Sequence, residues 1–163
     1  IPTTTAAVAR NADVRTYPTT GWLNAAAGTF FAEATAVNEA QTGAFARVLS
    51  VDDGTANERM DLDRNTTASR FFVVDGGVTQ ASPAMGTWSN GTTAKIAAAY
   101  ALNDIAAVQD GGTVQTDATA TIPTVTILGV ANFAGASQLF GPIRRVQFYS
   151  VRLPNATLQL MTR

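Results

Sequence analysis

Histidine and cysteine are both absent from this chain, and lysine occurs once. Without cysteine there are no disulfides, thiolate metal sites or cysteine nucleophiles. Without histidine the commonest general base and the commonest zinc ligand are missing, and a Ser-His-Asp triad cannot be built. Charge is scarce as well: 14% of the residues are charged and the net charge is -1. Ten of the eleven cations are arginine, and only Arg144 and Arg145 are adjacent. Surfaces that track nucleic acid need clustered positive charge, so no nucleic-acid partner is expected. No run approaches the roughly eighteen apolar residues of a membrane span, so no membrane insertion is expected. The opening "IPTTTAAVAR" has neither a charged start nor an apolar stretch of the secretory kind, and it lacks Met. It reads as a processed chain or a piece of a longer one.

What the chain has is alanine, threonine, glycine and valine, with 46% of its 163 residues apolar. That length suits one domain with a core of its own, and the apolar content argues against disorder. Residues 1–20, with two prolines and many threonines, read as an extended lead-in, a linker or an edge strand. Residues 21–163 read as the folded domain. In "GTFFAEATAV" the alternation sets Phe30, Ala32, Ala34 and Ala36 on one face and Phe31 and Val37 on the other. "GAFARVLSVDDG" and "NERMDLDRN" follow, the second with Met60 and Leu62 inward and Arg59, Asp61 and Asp63 outward. "RFFVVDGGVTQAS" and "IAAVQDGGTVQTD" write the same hairpin twice, Asp-Gly supplying the positive-φ residues of a tight turn. "AKIAAAYALNDIAAV" has helical propensity but is bounded by Asn90-Gly91 and Asp110-Gly111, and reads as two strands. Strands are also expected in 121–135 and 139–153, and one short helix in "PNATLQLM", where Pro154-Asn155 would cap it. The pattern is all-β, a sandwich or a barrel.

The order of Trp88, Ala97 to Tyr100, Asp110-Gly111, and then Gly141, Ile143, Val146, Phe148 and Tyr149 resembles the concanavalin A-like lectin/glucanase superfamily. More narrowly it resembles the laminin-G-type jelly-roll modules at the ends of bacteriophage tail and fibre proteins. "GWLNAAAGTFFAEATA" is similar to the entry strand of that group, and "LSVDDGTANERMDL" to its acidic loop and following strand. The likeness runs over residues 9–163. It implies a two-sheet antiparallel jelly-roll sandwich with a short C-terminal helix and close chain ends. It also implies a binding or structural module rather than an enzyme.

Glucanases of that superfamily carry Glu-x-Asp-x-Glu on one strand, which sets three acids on one face around the scissile bond. Here "ERMDLD" puts Arg59, Asp61 and Asp63 on the alternating face and turns Glu58 away. Two Asp beside an Arg read as a solvated strand face, and no catalytic residue is expected. Asp52 and Asp53, with Asn57 after them, offer oxygens of the kind calcium takes. The alternative is a polar turn in which each Asp caps its own backbone. No other cofactor is expected. Trp22 and Trp88 are the only tryptophans. An exposed indole beside an acid or amide stacks on sugars, so Trp22, Trp88, Asp52, Asp53 and Asn57 are the carbohydrate-binding candidates, although for Trp88 a place in the core is favoured over a platform. The Asn-x-Thr triplets at Asn65, Asn90 and Asn155 read as turn chemistry, and Arg144, Arg145 and Arg152 as a solvated strand face or a contact for an acidic polysaccharide or neighbouring subunit. The expectation is a non-enzymatic module on the surface of a virus particle, at a tail, fibre or other appendage, binding cell-surface glycan. Its partners would be further copies of itself or other virion proteins. The alternatives are a capsid or appendage decoration protein without a glycan, and a relic of a polysaccharide hydrolase.

Overall fold

A computed structural model describes residues 15–37, 45–134 and 137–163. The elements run Arg15–Pro18 (β1), Ala27–Thr35 (β2), Phe45–Asp52 (β3), Arg59–Asn65 (β4), Ala68–Asp75 (β5), Val78–Ala81 (β6), Ala84–Thr87 (β7), Thr93–Ala101 (β8), Ile105–Gln109 (β9), Gln115–Asp117 (β10), Ile127–Val130 (β11), Ile143–Tyr149 (β12) and Asn155–Met161 (α1). They make two antiparallel sheets. The first is ordered β1-β11-β3-β4-β5-β6, with β7 also paired to β5, and the second is β10-β9-β8-β2-β12. This is the expected jelly-roll sandwich. Arg15–Pro18 forms an edge strand, β1, paired to β11. Residues 1–14 lie outside the described residues.

The main core lies between the sheets. Phe30, Ala32 and Ala34 of β2 meet Leu49 and Val51 of β3, Met60 and Leu62 of β4, Phe71 and Val73 of β5, and Ile96, Ala98 and Tyr100 of β8. A second cluster covers the far side of the five-stranded sheet, where Leu158 of α1 rests on Phe31, Ala97, Ala99, Ala106 and Val108. This explains the alanine run. Strands buried on both faces lose the apolar-polar alternation, and small side chains let the helix approach. The helix starts at Pro154, whose carbonyl accepts from Leu158 N at 3.1 Å. Contrary to the expected cap, no side chain caps it.

The repeated Asp-Gly-Gly turns are both tied down from outside. Glu58 Oε1 accepts from Gly76 N at 2.7 Å in the first. In the second, Gly111 N donates to Thr162 Oγ1 at 3.0 Å and Gln159 Nε2 to Gly112 O at 2.8 Å, which fixes α1 against the hairpin. The outer edge of the five-stranded sheet, β12, carries a bulge between Ile143 and Arg145 and two exposed arginines, features that discourage edge pairing.

Candidate functional site

β3, β4 and β5 are neighbours in the seven-stranded sheet, and their register builds the site. Arg47 of β3 lies opposite Asp63 of β4, which lies opposite Arg70 of β5. In the next rows Ser50, Asp61 and Phe72 align, then Asp52 and Arg59. Simple alternation would set Arg47 on the core face with Leu49 and Val51. A bulge between Arg47 and Leu49 prevents this: Val48 and Leu49 both enter the core, while Arg47 and Ser50 both stay outside.

The outward face is therefore charged, and it is not solvated. Asp61 and Asp63 are both 0% exposed. This corrects the reading of the acidic strand face as water-covered, and the cover is a layer of arginine and phenylalanine. Arg47 Nε and Arg59 Nε each lie 3.1 Å from Asp61 Oδ2. Arg70 holds Asp63 with two parallel bonds, Nε to Oδ1 at 2.8 Å and Nη2 to Oδ2 at 2.9 Å. Arg59 Nη1 also donates to Ala56 O.

Above the two aspartates the three guanidiniums alternate with three phenyl rings in a closed circuit. Arg70 lies 4.7 Å from the Phe45 centroid and 4.1 Å from that of Phe72. Arg59 lies 5.1 Å from Phe72 and 5.7 Å from Phe133. Arg47 closes the circuit at 5.5 Å from Phe133 and 5.1 Å from Phe45. A guanidinium over a ring face within about 6 Å is attracted by the ring's quadrupole. Phe133 comes from the segment after β11. That segment is laid against β3 by Ala131 N to Val48 O at 3.0 Å and Arg47 N to Ser137 O at 2.8 Å. The three rings stay half-buried. Beneath them Arg47 Nε, Arg47 Nη1 and Asp61 Oδ1 are buried without a hydrogen-bond partner; the close approach of Arg47 to Asp61 is an ion pair without hydrogen-bond alignment.

The expected site residues fall in three places. Trp88 is 1% exposed and packs in the main core, its Nε1 donating to Thr92 O at 2.9 Å. The platform reading is corrected there, because a ring without an exposed face cannot stack on a ligand. Trp22 is half-buried, edge-on to Phe148 at 5.2 Å, with its Nε1 donating to Pro18 O. Asp52, Asp53 and Asn57 do share the turn after β3. Asp52 accepts from Ser50 Oγ at 3.0 Å and Gly54 N at 2.8 Å, and Asp53 from Thr55 N and Oγ1 at 2.8 and 2.7 Å. These are the bonds of a polar turn, two from the backbone of Gly54 and Thr55 and two from the Ser50 and Thr55 hydroxyls, and no group of three or more acidic residues that could hold a metal is found among the described residues. Glu58, which the alternation turns away from the acidic face, stitches Gly76 N to Thr124 N. Arg144 and Arg145 are exposed as expected, but Arg152 is not a solvated side chain: it bonds Asp104 Oδ1 at 2.7 Å and Leu153 O.

The arginine-phenylalanine circuit was not anticipated. Two signals for it stood in the sequence, Phe45-x-Arg47 and Arg70-x-Phe72, each pair spaced to share a strand face. No local signal brings Phe133 to them.

Burial pushes the Asp63 carboxyl above its ordinary range, against the pull of Arg70 and Arg47. Burial raises Asp52 too, opposed by its bonds from Gly54 and Ser50. Asp53 goes the other way, lowered by its Thr55 bonds. A raised carboxyl keeps its proton in the fold at pH values where the unfolded chain has lost it. The stability it contributes is therefore full below the ordinary carboxyl range and is lost as pH rises through the raised value. The thermal unfolding midpoint is expected to fall as pH rises above the ordinary carboxyl range, with a smaller fall in Asp52→Asn. A midpoint that climbs steadily towards neutral pH would contradict this.

No family model and no curated relative matches the sequence. Solved structures do match in fold. The CBM40 of a Ruminococcus gnavus IT-sialidase, solved bound to α2,3-sialyllactose, superposes with a TM-score of 0.70 at 17% identity, over 84% of this chain and 82% of that one. Trypanosoma rangeli sialidase gives 0.61 at 15% identity over 83% of this chain, which spans only 22% of that enzyme. Domains LG4-5 of the mouse laminin alpha1 chain give 0.63 at 10% identity over 88% of this chain and 41% of that one. These likenesses establish the jelly-roll sandwich.

Proposed function

We propose that the chain is a non-enzymatic carbohydrate-binding module and that the outer face of β3, β4 and β5 is its binding surface. The observation that carries the reading is the circuit of Phe45, Phe72 and Phe133 with Arg47, Arg59 and Arg70. Half-buried rings offer apolar surface to the C–H face of a sugar, and guanidinium N–H groups beside them offer donors to its hydroxyls. The likeness in fold to a CBM40 solved with sialyllactose supports the class of ligand. Binding without chemistry is supported by the state of the acids. Both oxygens of Asp63 accept from Arg70, and Asp61 is buried under two guanidiniums. Neither is free to attack or protonate a glycosidic bond, whose hydrolysis needs two carboxyl groups flanking it.

A panel of immobilised neutral and acidic glycans, read with the purified chain, tests the proposal. Phe72→Ala is expected to weaken binding by about tenfold or more, as for an aromatic anchor, while the unfolding midpoint reports whether the fold survives. Unchanged affinity in a folded Phe72→Ala would move the site elsewhere. The setting we propose, an appendage of a virus particle carrying several copies, rests on the residue resemblance alone. Tethered copies would strengthen weak sugar sites, and mass measurement of the native assembly tests it.

A further inference from the structure

We infer that this face takes a neutral sugar and gains nothing from a carboxylate on it; the inference rests on the carbohydrate-binding reading and names its ligand class. Three arginines on one face suggest an anion receptor, and guanidinium forks do suit carboxylates. Here the same face supplies an acid for each of them. Arg47, Arg59 and Arg70 stand with Asp52, Asp61 and Asp63 on the outward side of three adjacent strands. With the acids ionised, the face has no net charge. Each arginine already has an aspartate close at hand: Arg70 to Asp63 by two bonds, Arg59 and Arg47 to one oxygen of Asp61. An incoming carboxylate would compete with carboxylates that are already seated and already desolvated.

Arg47 Nε and Nη1 and Asp61 Oδ1, which lack hydrogen-bond partners, are buried beneath the rings and are not presented to a ligand. The half-buried rings of Phe45, Phe72 and Phe133 add apolar surface that carries no charge preference. The face therefore matches a polyhydroxylated, uncharged ring.

The decisive comparison is lactose against α2,3-sialyllactose, two ligands that share a core and differ by one carboxylated residue. Titration calorimetry on the intact chain is expected to give affinities within about twofold of each other, nearly unchanged between about 50 and 500 mM salt. Asp52→Asn removes one negative charge from the rim of the face. It is expected to shift the ratio towards sialyllactose by about five- to tenfold at low salt, an effect that salt abolishes. Circular dichroism checks that the variant folds. Sialyllactose binding about tenfold or more tightly than lactose, with an affinity that falls as salt rises, would overturn the inference and leave the carbohydrate reading intact. Silence towards both, and towards a panel of other neutral hexosides, would remove the carbohydrate reading and this inference with it.

Discussion

Asp61→Ala is expected to destabilise the fold by about 3–5 kcal/mol, the loss typical of breaking a buried ion pair from one side. The reason is what stays behind. Asp61 is fully buried and faces the guanidiniums of both Arg47 and Arg59. Alanine removes the counter-charge of two cations that the Phe45, Phe72 and Phe133 rings keep largely out of water. Cation–π attraction of about 0.5–2 kcal/mol per contact softens that loss without replacing a carboxylate. Asp61→Asn keeps the shape and loses the charge, and an intermediate loss is expected. Arg47→Met placed on Asp61→Ala is expected to recover part of it, because an apolar side chain of similar length removes one of the two stranded charges. Urea unfolding of the four proteins measures all of this. A loss below about 1 kcal/mol in Asp61→Ala would mean that water reaches the strand after all, since exposed pairs contribute no more than that. The site would then be an ordinary polar surface.

How this face escaped the sequence is a matter of what alternation can encode. Arg59, Asp61 and Asp63 occupy the polar phase of β4, as "ERMDLD" predicts, and Met60 and Leu62 face the core. Period-two patterning reports which side a residue takes, and says nothing of what covers that side. A face under water and a face under arginines have the same letters. The bulge at Val48 hides Arg47 further, since unbroken alternation assigns it to the core. Phe133 is beyond any local reading, because it reaches β3 through the long-range pairing of β11 and the backbone bonds of the segment that follows it. The hairpins were legible for the opposite reason. Asp75-Gly76 and Asp110-Gly111 encode their turns in adjacent residues, and both glycines sit at positive φ, +60 and +69. The two strands in "AKIAAAYALNDIAAV" were settled by the turns on either side of them. Their alanines reflect burial on both faces, which α1 completes.

Gly141→Ala is expected to be the most damaging of the glycine substitutions, at about 3 kcal/mol or more, for reasons of space and conformation together. Gly141 precedes β12 at φ +147, a backbone state that side chains rarely adopt, and a Cβ there would lie 1.8 Å from the carbonyl oxygen of Thr35. That obstacle is main chain, so no rotamer change relieves it. It is also held on both sides, by Thr35 N to Pro142 O at 2.9 Å and Val37 N to Phe140 O at 2.7 Å. Relief therefore requires pulling the start of β12 away from the end of β2. β12 carries Phe148, which packs on Phe30 and Trp22, each at 5.2 Å, so the displacement would spread into the core. Gly76→Ala is the control. Its φ is +60 but nothing lies within 4 Å of a new Cβ, so only the conformational cost of about 1–2 kcal/mol remains. Chemical unfolding of the pair separates the two contributions. Equal losses would show that conformation alone sets the cost, and that the β2–β12 junction gives way more easily than its hydrogen bonds imply.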